Sequence, residues 1–103
     1  MIYHLVFPHY WAKFEGAAEY VSETLDVERF IHCSRKEQLA GVLERFFAGV
    51  NDLLIVEIDE AKLTSPLRYE AVPDSDETFP HIFGHINREA IVGVESVLAF
   101  LGS

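Results

Sequence analysis

An amphipathic segment that begins near Ser34 is the clearest feature in the pattern of hydrophobic and polar positions. Its apolar residues recur at the three- and four-residue spacing of one helical face: Leu39, Val42, Leu43, Phe46 and Phe47. Ser34, followed three residues later by Glu37, is typical of an N-terminal capping box, and Gly49 suits the C-terminal end. The pattern predicts one main helix at about residues 34–48, with its apolar stripe packed in the core.

Shorter apolar runs predict strands in most of the remaining chain. Alternation, or continuous apolar character between prolines, favours strands rather than helices. The predicted strands are residues 2–7, 29–33, 53–56, 67–72 and 91–98. A short helix is expected over residues 10–14, residues 17–28 fit no clear pattern, and residues 74–78 form a polar loop. Because strands outnumber helices, we predict an α+β fold.

Composition bounds the class of protein. Of the 103 residues, 50% are hydrophobic and 13% are aromatic, which excludes a disordered or low-complexity chain. This length and core content predict a single globular domain over residues 1–103. The single cysteine, Cys33, excludes a disulfide framework within the chain and an all-cysteine zinc site.

The net charge of the chain limits the classes of partner that we expect. Seventeen acidic residues against eight basic ones give a formal charge of −9, which disfavours binding to bulk nucleic acid and to anionic membranes. The N-terminal residues lack the basic and long apolar regions of a signal peptide, and the lone cysteine suits a reducing compartment. We therefore expect a cytoplasmic protein, and the pattern leaves its oligomeric state open.

Histidine and cysteine raise the question of metal or thiol chemistry. His81 and His85 are four residues apart, which would suit zinc on a helix, but Pro80 and Gly84 argue against a helix there. Cys33 lies beside cations before a predicted helix start, where a thiol can become a nucleophile. A buried, inert cysteine is the commoner outcome. A metal- or thiol-dependent enzyme that uses Cys33 with His32 and His81 therefore remains an alternative.

A second group of residues suggests anion binding. His32, Ser34 and the amides at the start of the main helix could join Arg68 around a phosphate. In the sequence Arg68-Tyr69-Glu70, strand alternation places Arg68 and Glu70 on one face and Tyr69 on the other. These residue types suit a nucleotide or pyrophosphate ligand, although a surface Arg–Glu pair would explain them as well.

Along nearly its whole length the chain resembles the bacterial and plant family called domain of unknown function 952. The blocks that carry the resemblance are Ile2-Tyr3-His4, Phe30-Ile31-His32-Cys33-Ser34, Leu67-Arg68-Tyr69-Glu70 and Phe79-Pro80-His81-Ile82-Phe83-Gly84. The family usually has Gly where Arg29 stands, Thr where Arg35 stands and Pro where His85 stands. The third difference weakens a metal site built on His81 and His85.

The resemblance implies a compact relative of the ADP-ribosyltransferase fold, with two small, split antiparallel sheets around a nicotinamide dinucleotide cleft. Catalytic roles are then expected for His4, His32 and Glu70. His4 would donate to a ribose hydroxyl, and Glu70 would stabilise oxocarbenium character as nicotinamide leaves. Ser34 resembles the hydroxyl of the second conserved strand. The chemistry of an NAD ligand adds Arg68 for the phosphates and Tyr69 or Phe83 for stacking on nicotinamide, and His81 is expected in the same pocket.

Three functions are therefore carried forward. The first is a transferase or hydrolase that uses NAD or ADP-ribose as substrate, which requires His4, His32 and Glu70 to meet in one cleft. The second is a non-catalytic module that binds a nucleotide or small anion. The third is the metal- or thiol-dependent enzyme. The expected partner is a small anionic molecule or nucleotide, NAD is the candidate substrate, and no metal ion or other cofactor is assigned.

Overall fold

Eight strands and four α-helices form the fold within residues 1–73 and 75–102, which the computed structural model describes. The strands are β1 Ile2–Val6, β2 Glu19–Tyr20, β3 Ile31–His32, β4 Leu54–Ile58, β5 Leu67–Ala71, β6 Thr78–Ile82, β7 Ile86–Asn87 and β8 Ile91–Ser96. The α-helices are α1 Pro8–Trp11, α2 Leu25–Glu28, α3 Leu39–Phe46 and α4 Val97–Gly102. Single 3-10 turns cover Ala12–Phe14, Lys36–Gln38, Glu60–Lys62 and Arg88–Ala90.

The strands make three small antiparallel sheets, which confirms the α+β class and corrects the expected number of two sheets. The first sheet has the order β1-β4-β8, the second pairs β2 with β7, and the third has the order β3-β6-β5. A backbone bridge between Tyr3 and Ser34, with N–H···O distances of 2.8 Å in both directions, joins β1 to the chain that follows β3. The bridge holds the first and third sheets side by side.

Strand alternation in β1 divides the core into two clusters. Ile2 and Val6 belong to one cluster, together with Tyr20 and the inward residues of the third sheet, whereas Tyr3 belongs to the other, with Leu39. Since side chains alternate along a strand, His4 must point to the same side as Ile2 and Val6. A titratable side chain is thereby placed in the wall of the larger cluster.

The main helix is shorter than predicted, and its apolar residues face both the smaller core cluster and a cleft. The 3-10 turn and α3 together span residues 36–46. The capping pair is one residue later than expected, because the Arg35 N–H donates to Gln38 Oε1 at 2.9 Å. Leu43 packs on the smaller cluster, but Phe46 is 66% exposed and lines a cleft instead. Part of the apolar face of α3 therefore lines the cleft instead of packing in the core.

Other boundaries also differ from the sequence-based prediction. The closing strand ends at Ser96, and α4 follows it; residues 17–28, which fit no pattern, contain β2 and α2. The predicted polar loop at residues 74–78 includes Asp74, which lies outside the described residues. In the described part of the chain, no helix has the length and apolar character needed to cross a membrane.

Arg29 has a backbone conformation that favours glycine. Its φ of 73° is left-handed, and its N–H donates to Leu25 O at 2.8 Å to close α2. Glycine adopts this conformation without the steric cost of a Cβ atom. This geometry gives a physical reason why the family that the chain resembles usually has Gly at this position.

We expect Gly84→Ala to lower the free energy of unfolding by more than about 1 kcal/mol. The φ of Gly84 is +147°, and an added Cβ would lie 2.6 Å from Ser65 Oγ, whose hydroxyl already donates to His85 O. The control is Gly41→Ala in α3, where an added Cβ meets nothing within 4 Å; it should stabilise the helix by about 0.5–1 kcal/mol. Urea denaturation measures both, and equal stability of Gly84→Ala and wild type would contradict the prediction.

Candidate functional site

A cleft of about 1040 Å³ opens beside the bridge that joins the first and third sheets. Its lining comes from β1, residues 22–34, α3 with its flanking residues, and the part of the third sheet around Glu70 and His81. Eight of the lining residues are aromatic: Tyr3, Phe7, Tyr10, Tyr20, Phe30, Phe46, Phe47 and Phe79. A cleft of this size and character suits a nucleoside-sized molecule with an apolar body.

The structure brings five of the eight predicted site residues to this cleft. They are His4, His32, Ser34, Glu70 and His81. Arg68, Tyr69 and Phe83 are outside its lining. The guanidinium of Arg68 lies 5.4 Å from the ring centre of Phe83, and the Phe83 ring lies 5.6 Å from that of Phe30, so this pair is behind a residue of the lining.

Strand register explains which residues of β5 reach the cleft. His81 pairs with His32 on one side and with Arg68 on the other. Glu70 is two residues after Arg68 and therefore has the same orientation, whereas Tyr69 points to the opposite face. The Tyr69 hydroxyl donates to Glu60 Oε2 at 2.7 Å. The predicted alternation in Arg68-Tyr69-Glu70 is confirmed.

His81 and Glu70 form a hydrogen-bonded pair in the wall of the cleft. His81 is 3% exposed, and its Nδ1–H donates to Glu70 Oε1 at 2.8 Å. Phe30 stacks on the imidazole with a ring separation of 3.9 Å and an angle of 17°. His81 Nε2 is buried and has no hydrogen-bond partner in the described structure. With the proton on Nδ1, Nε2 is a proton acceptor held in a fixed orientation.

A second histidine–carboxylate pair lies next to the first. His32 Nε2–H donates to Glu28 Oε2 at 2.6 Å, and the His32 and His81 ring centres are 5.5 Å apart. A hydrogen bond from the Thr24 side chain, together with that from His32, holds the pKa of Glu28 below its usual value. Glu28 is therefore ionised at neutral pH and keeps the His32 ring oriented.

Both ring nitrogens of His4 are engaged in hydrogen bonds. Nδ1–H donates to His32 O at 2.7 Å, and the Tyr20 hydroxyl donates to Nε2 at 2.8 Å. Burial lowers the pKa of His4 to about 4, and burial raises the pKa of Tyr20. His4 is thus neutral at pH 7 and ties β1 to β3 and to Tyr20.

The residues proposed for thiol or metal chemistry are placed differently. Cys33 is 4% exposed, and burial raises the pKa of its thiol, so the protonated form prevails at neutral pH. His85 Nε2 lies 2.8 Å from Glu19 Oε2 and outside the cleft lining. Within residues 1–73 and 75–102, no three His, Cys, Asp or Glu side chains are arranged to hold a metal ion.

Sequence reasoning missed several residues of the cleft. Ser22 and Glu23 are in the segment that had no periodic pattern, and Ser22 Oγ is a second buried atom without a hydrogen-bond partner in the described structure. No local signal marked either residue. Glu28, in contrast, precedes His32 by four residues, and that spacing could have indicated the pair.

The cleft is acidic. Four glutamates line it, namely Glu23, Glu28, Glu70 and Glu77, whereas Arg45 is the one lysine or arginine in the described lining. The cations around the start of the main helix contact rings elsewhere: Arg35 lies over Tyr69 at 5.8 Å, and Lys36 lies over Phe100 at 5.8 Å. The basic residues that suggested a phosphate site are therefore outside the described lining.

Comparison with known proteins gives a family without an assigned activity. The family model described as "Protein of unknown function (DUF952)" matches residues 5–94. No curated protein matches the chain.

Solved structures share the fold. A crystal structure of protein CC0527 from Caulobacter crescentus superposes with a TM-score of 0.80 at 21% identity, covering 92% of this chain and 83% of that chain. A crystal structure of a double mutant of that protein superposes with a TM-score of 0.80 at 20% identity and the same coverage. The solution NMR structure of CC0527 superposes with a TM-score of 0.77 at 21% identity, covering 92% of this chain and 82% of that chain. At this identity the likeness establishes the fold alone.

Proposed function

The chain belongs to the DUF952 family, described as of unknown function, and from that premise we propose that its cleft hydrolyses or transfers at the N-glycosidic bond of a nicotinamide nucleoside or nucleotide. One observation carries the proposal: His81 and Glu70 are hydrogen-bonded at 2.8 Å, and His81 Nε2 is left without a partner. An oriented imidazole with a free acceptor nitrogen is the arrangement that general-base chemistry requires.

The lining of the cleft also supports the proposal. His4, His32 and Glu70 line one cavity, and its volume of about 1040 Å³ accommodates a nucleoside. The aromatic lining offers stacking surfaces for a pyridine ring. These observations support an NAD-related substrate class ahead of the thiol reaction, because the Cys33 thiol is buried and protonated.

In the proposed reaction the bond between ribose C1′ and the pyridinium nitrogen breaks. Nicotinamide leaves as a neutral molecule with the electron pair of that bond, and positive charge develops on the ribose. The carboxylate of Glu70 stabilises this charge, as carboxylates do in glycoside hydrolysis. Water, or an acceptor hydroxyl, adds its oxygen to C1′ and gives its proton to His81 Nε2. Glu70 then stabilises the imidazolium that forms.

In this proposal His4 is a positioning residue. Its Nδ1–H donates to the carbonyl of His32 at 2.7 Å, and that residue pairs with His81 across the sheet. A neutral His4 therefore ties β1 to β3, the strand that pairs with the one that carries the proposed base. It does not have a ring nitrogen free for substrate.

Nicotinamide release tests the proposed function. The wild-type protein is incubated with NAD and with nicotinamide riboside, and proton NMR follows free nicotinamide; amide shifts of labelled protein report binding. We expect release above the uncatalysed rate, with shifts at His32, Glu70 and His81. Binding without release would support the non-catalytic module instead. The absence of both release and shifts at millimolar ligand would overturn the proposal.

A further inference from the structure

We infer that the cleft selects cationic N-ribosides without phosphate over nicotinamide mononucleotide and NAD. The inference rests on the proposed function and names its substrate class. It departs from the sequence-based expectation of an anionic ligand, because the charges that line the cleft have the opposite sign from those that a phosphate requires.

The first evidence is the number and placement of carboxylates. Four glutamates line the cleft, while Arg45 is the one lysine or arginine in the described lining. The Arg45 guanidinium lies 5.4 Å from the ring centre of Phe46, at the exposed end of α3. A phosphate would therefore meet several negative charges and at most one cation. The same carboxylates would attract a positively charged pyridinium ring.

The second evidence is that the basic residues near the cleft contact other parts of the protein. Arg35 donates to Glu37 Oε1 at 3.0 Å and lies over Tyr69. Arg68 lies over Phe83. Tyr69 and Phe83 are both outside the cleft lining. In this arrangement neither Arg35 nor Arg68 belongs to the described lining, and each guanidinium is engaged with a ring outside it.

The third evidence is the kind of polar group that the walls leave unpartnered. His81 Nε2 and Ser22 Oγ are the two buried side-chain atoms without hydrogen bonds in the described structure, and both residues line the cleft. Buried polar atoms without partners are costly, and a ligand hydroxyl or amide would satisfy them. With the proton of His81 on Nδ1, Nε2 accepts a hydrogen bond from a ribose hydroxyl or a carboxamide but offers no proton to a phosphate oxygen, and the Ser22 hydroxyl serves a ribose hydroxyl or a carboxamide as well.

The aromatic residues of the cleft also favour a cationic ligand. Phe30 stacks on His81, and Phe46 and Phe79 contribute further rings to the lining. The face of an aromatic ring attracts a cation, and the attraction is greatest where water is excluded. A positively charged pyridinium of a riboside would gain from both the rings and the glutamates.

The test compares kcat/KM for nicotinamide riboside, nicotinamide mononucleotide and NAD at low and at high salt. We expect the riboside to be preferred by at least about tenfold at low salt, with the preference narrowing as salt screens the carboxylates. Glu23→Gln removes one cleft carboxylate that is outside the His81–Glu70 pair, and it should reduce the preference. Glu44→Gln is the matched control, because it changes the net charge equally but Glu44 is exposed on α3 and outside the lining.

The outcomes separate this inference from the proposed function. If NAD or the mononucleotide is turned over as well as the riboside, the inference is overturned and the proposed function stands. An equal change of preference in Glu23→Gln and Glu44→Gln would also overturn it, since the effect would then come from net charge alone. If no nicotinamide compound is bound or turned over, the proposed function itself fails.

Discussion

Glu70→Gln is expected to lower the rate of nicotinamide release at least about 100-fold, the scale at which acid–base groups contribute. The carboxylate accepts a hydrogen bond from His81 Nδ1–H at 2.8 Å. A glutamine keeps the shape of the side chain but removes the negative charge that stabilises both the imidazolium and the ribose cation. Release of nicotinamide from the riboside measures the effect, and circular dichroism verifies that the variant is folded.

Tyr69→Phe is the matched control for Glu70→Gln. The two residues are adjacent in β5 but point to opposite faces, and the Tyr69 hydroxyl bonds Glu60 rather than a group of the cleft. We expect turnover within about twofold of wild type, since no atom that the substitution removes lines the cleft. Equal losses in both variants would indicate a general disturbance of β5 and would contradict a catalytic role for Glu70.

Acidification from pH 6.5 to pH 4 is expected to cost on the order of 3 kcal/mol of folding stability through His4. Burial lowers the pKa of His4 from 6.5 to about 4 in the folded protein. Between these values the unfolded chain binds a proton that the folded protein does not, so the free energy of unfolding falls as pH falls. The stability that neutral His4 provides is fully present above pH 6.5 and is lost as the pH falls to about 4. Urea denaturation at a series of pH values measures this slope.

His4→Gln tests the assignment of the slope to this residue. The glutamine amide can donate towards His32 O and its carbonyl can accept from Tyr20, but the side chain does not titrate. We expect a flatter pH dependence between pH 6.5 and pH 4, whatever the stability of the variant at neutral pH. The lowered pKa of Glu28 gives a slope of the same sign at more acidic pH, and both proteins share it. An unchanged slope in the variant would show that another group is responsible.

Local pattern predicted the elements that are long and periodic. Strand β1, the strand at Leu67–Ala71 and the main helix were each found within a few residues of their observed bounds. The short elements β2 and α2 were missed because two to four residues do not establish a period. The predicted closing strand, residues 91–98, extends two residues into α4, because a short apolar run suits either structure.

The candidate site was predictable only in part. Sequence placed Glu70 and Arg68 on one face of β5, and that alternation is a local property. It could not place the ends of those side chains: Glu70 reaches His81, whereas Arg68 turns to Phe83. Which of the two lines the cleft depends on the neighbours that other strands supply.

The sequence by itself determined an acidic α+β protein with one main helix, a first strand that carries His4, and a family resemblance. Only the tertiary structure decided the charge of the cleft, because that charge depends on which surfaces face inwards after the three sheets pack. Glu23 and Glu28 come from a segment without pattern, and they meet Glu70 from a strand about forty residues later in the chain. Hydrophobic periodicity records which side of an element is buried, but not which elements come to share a cavity.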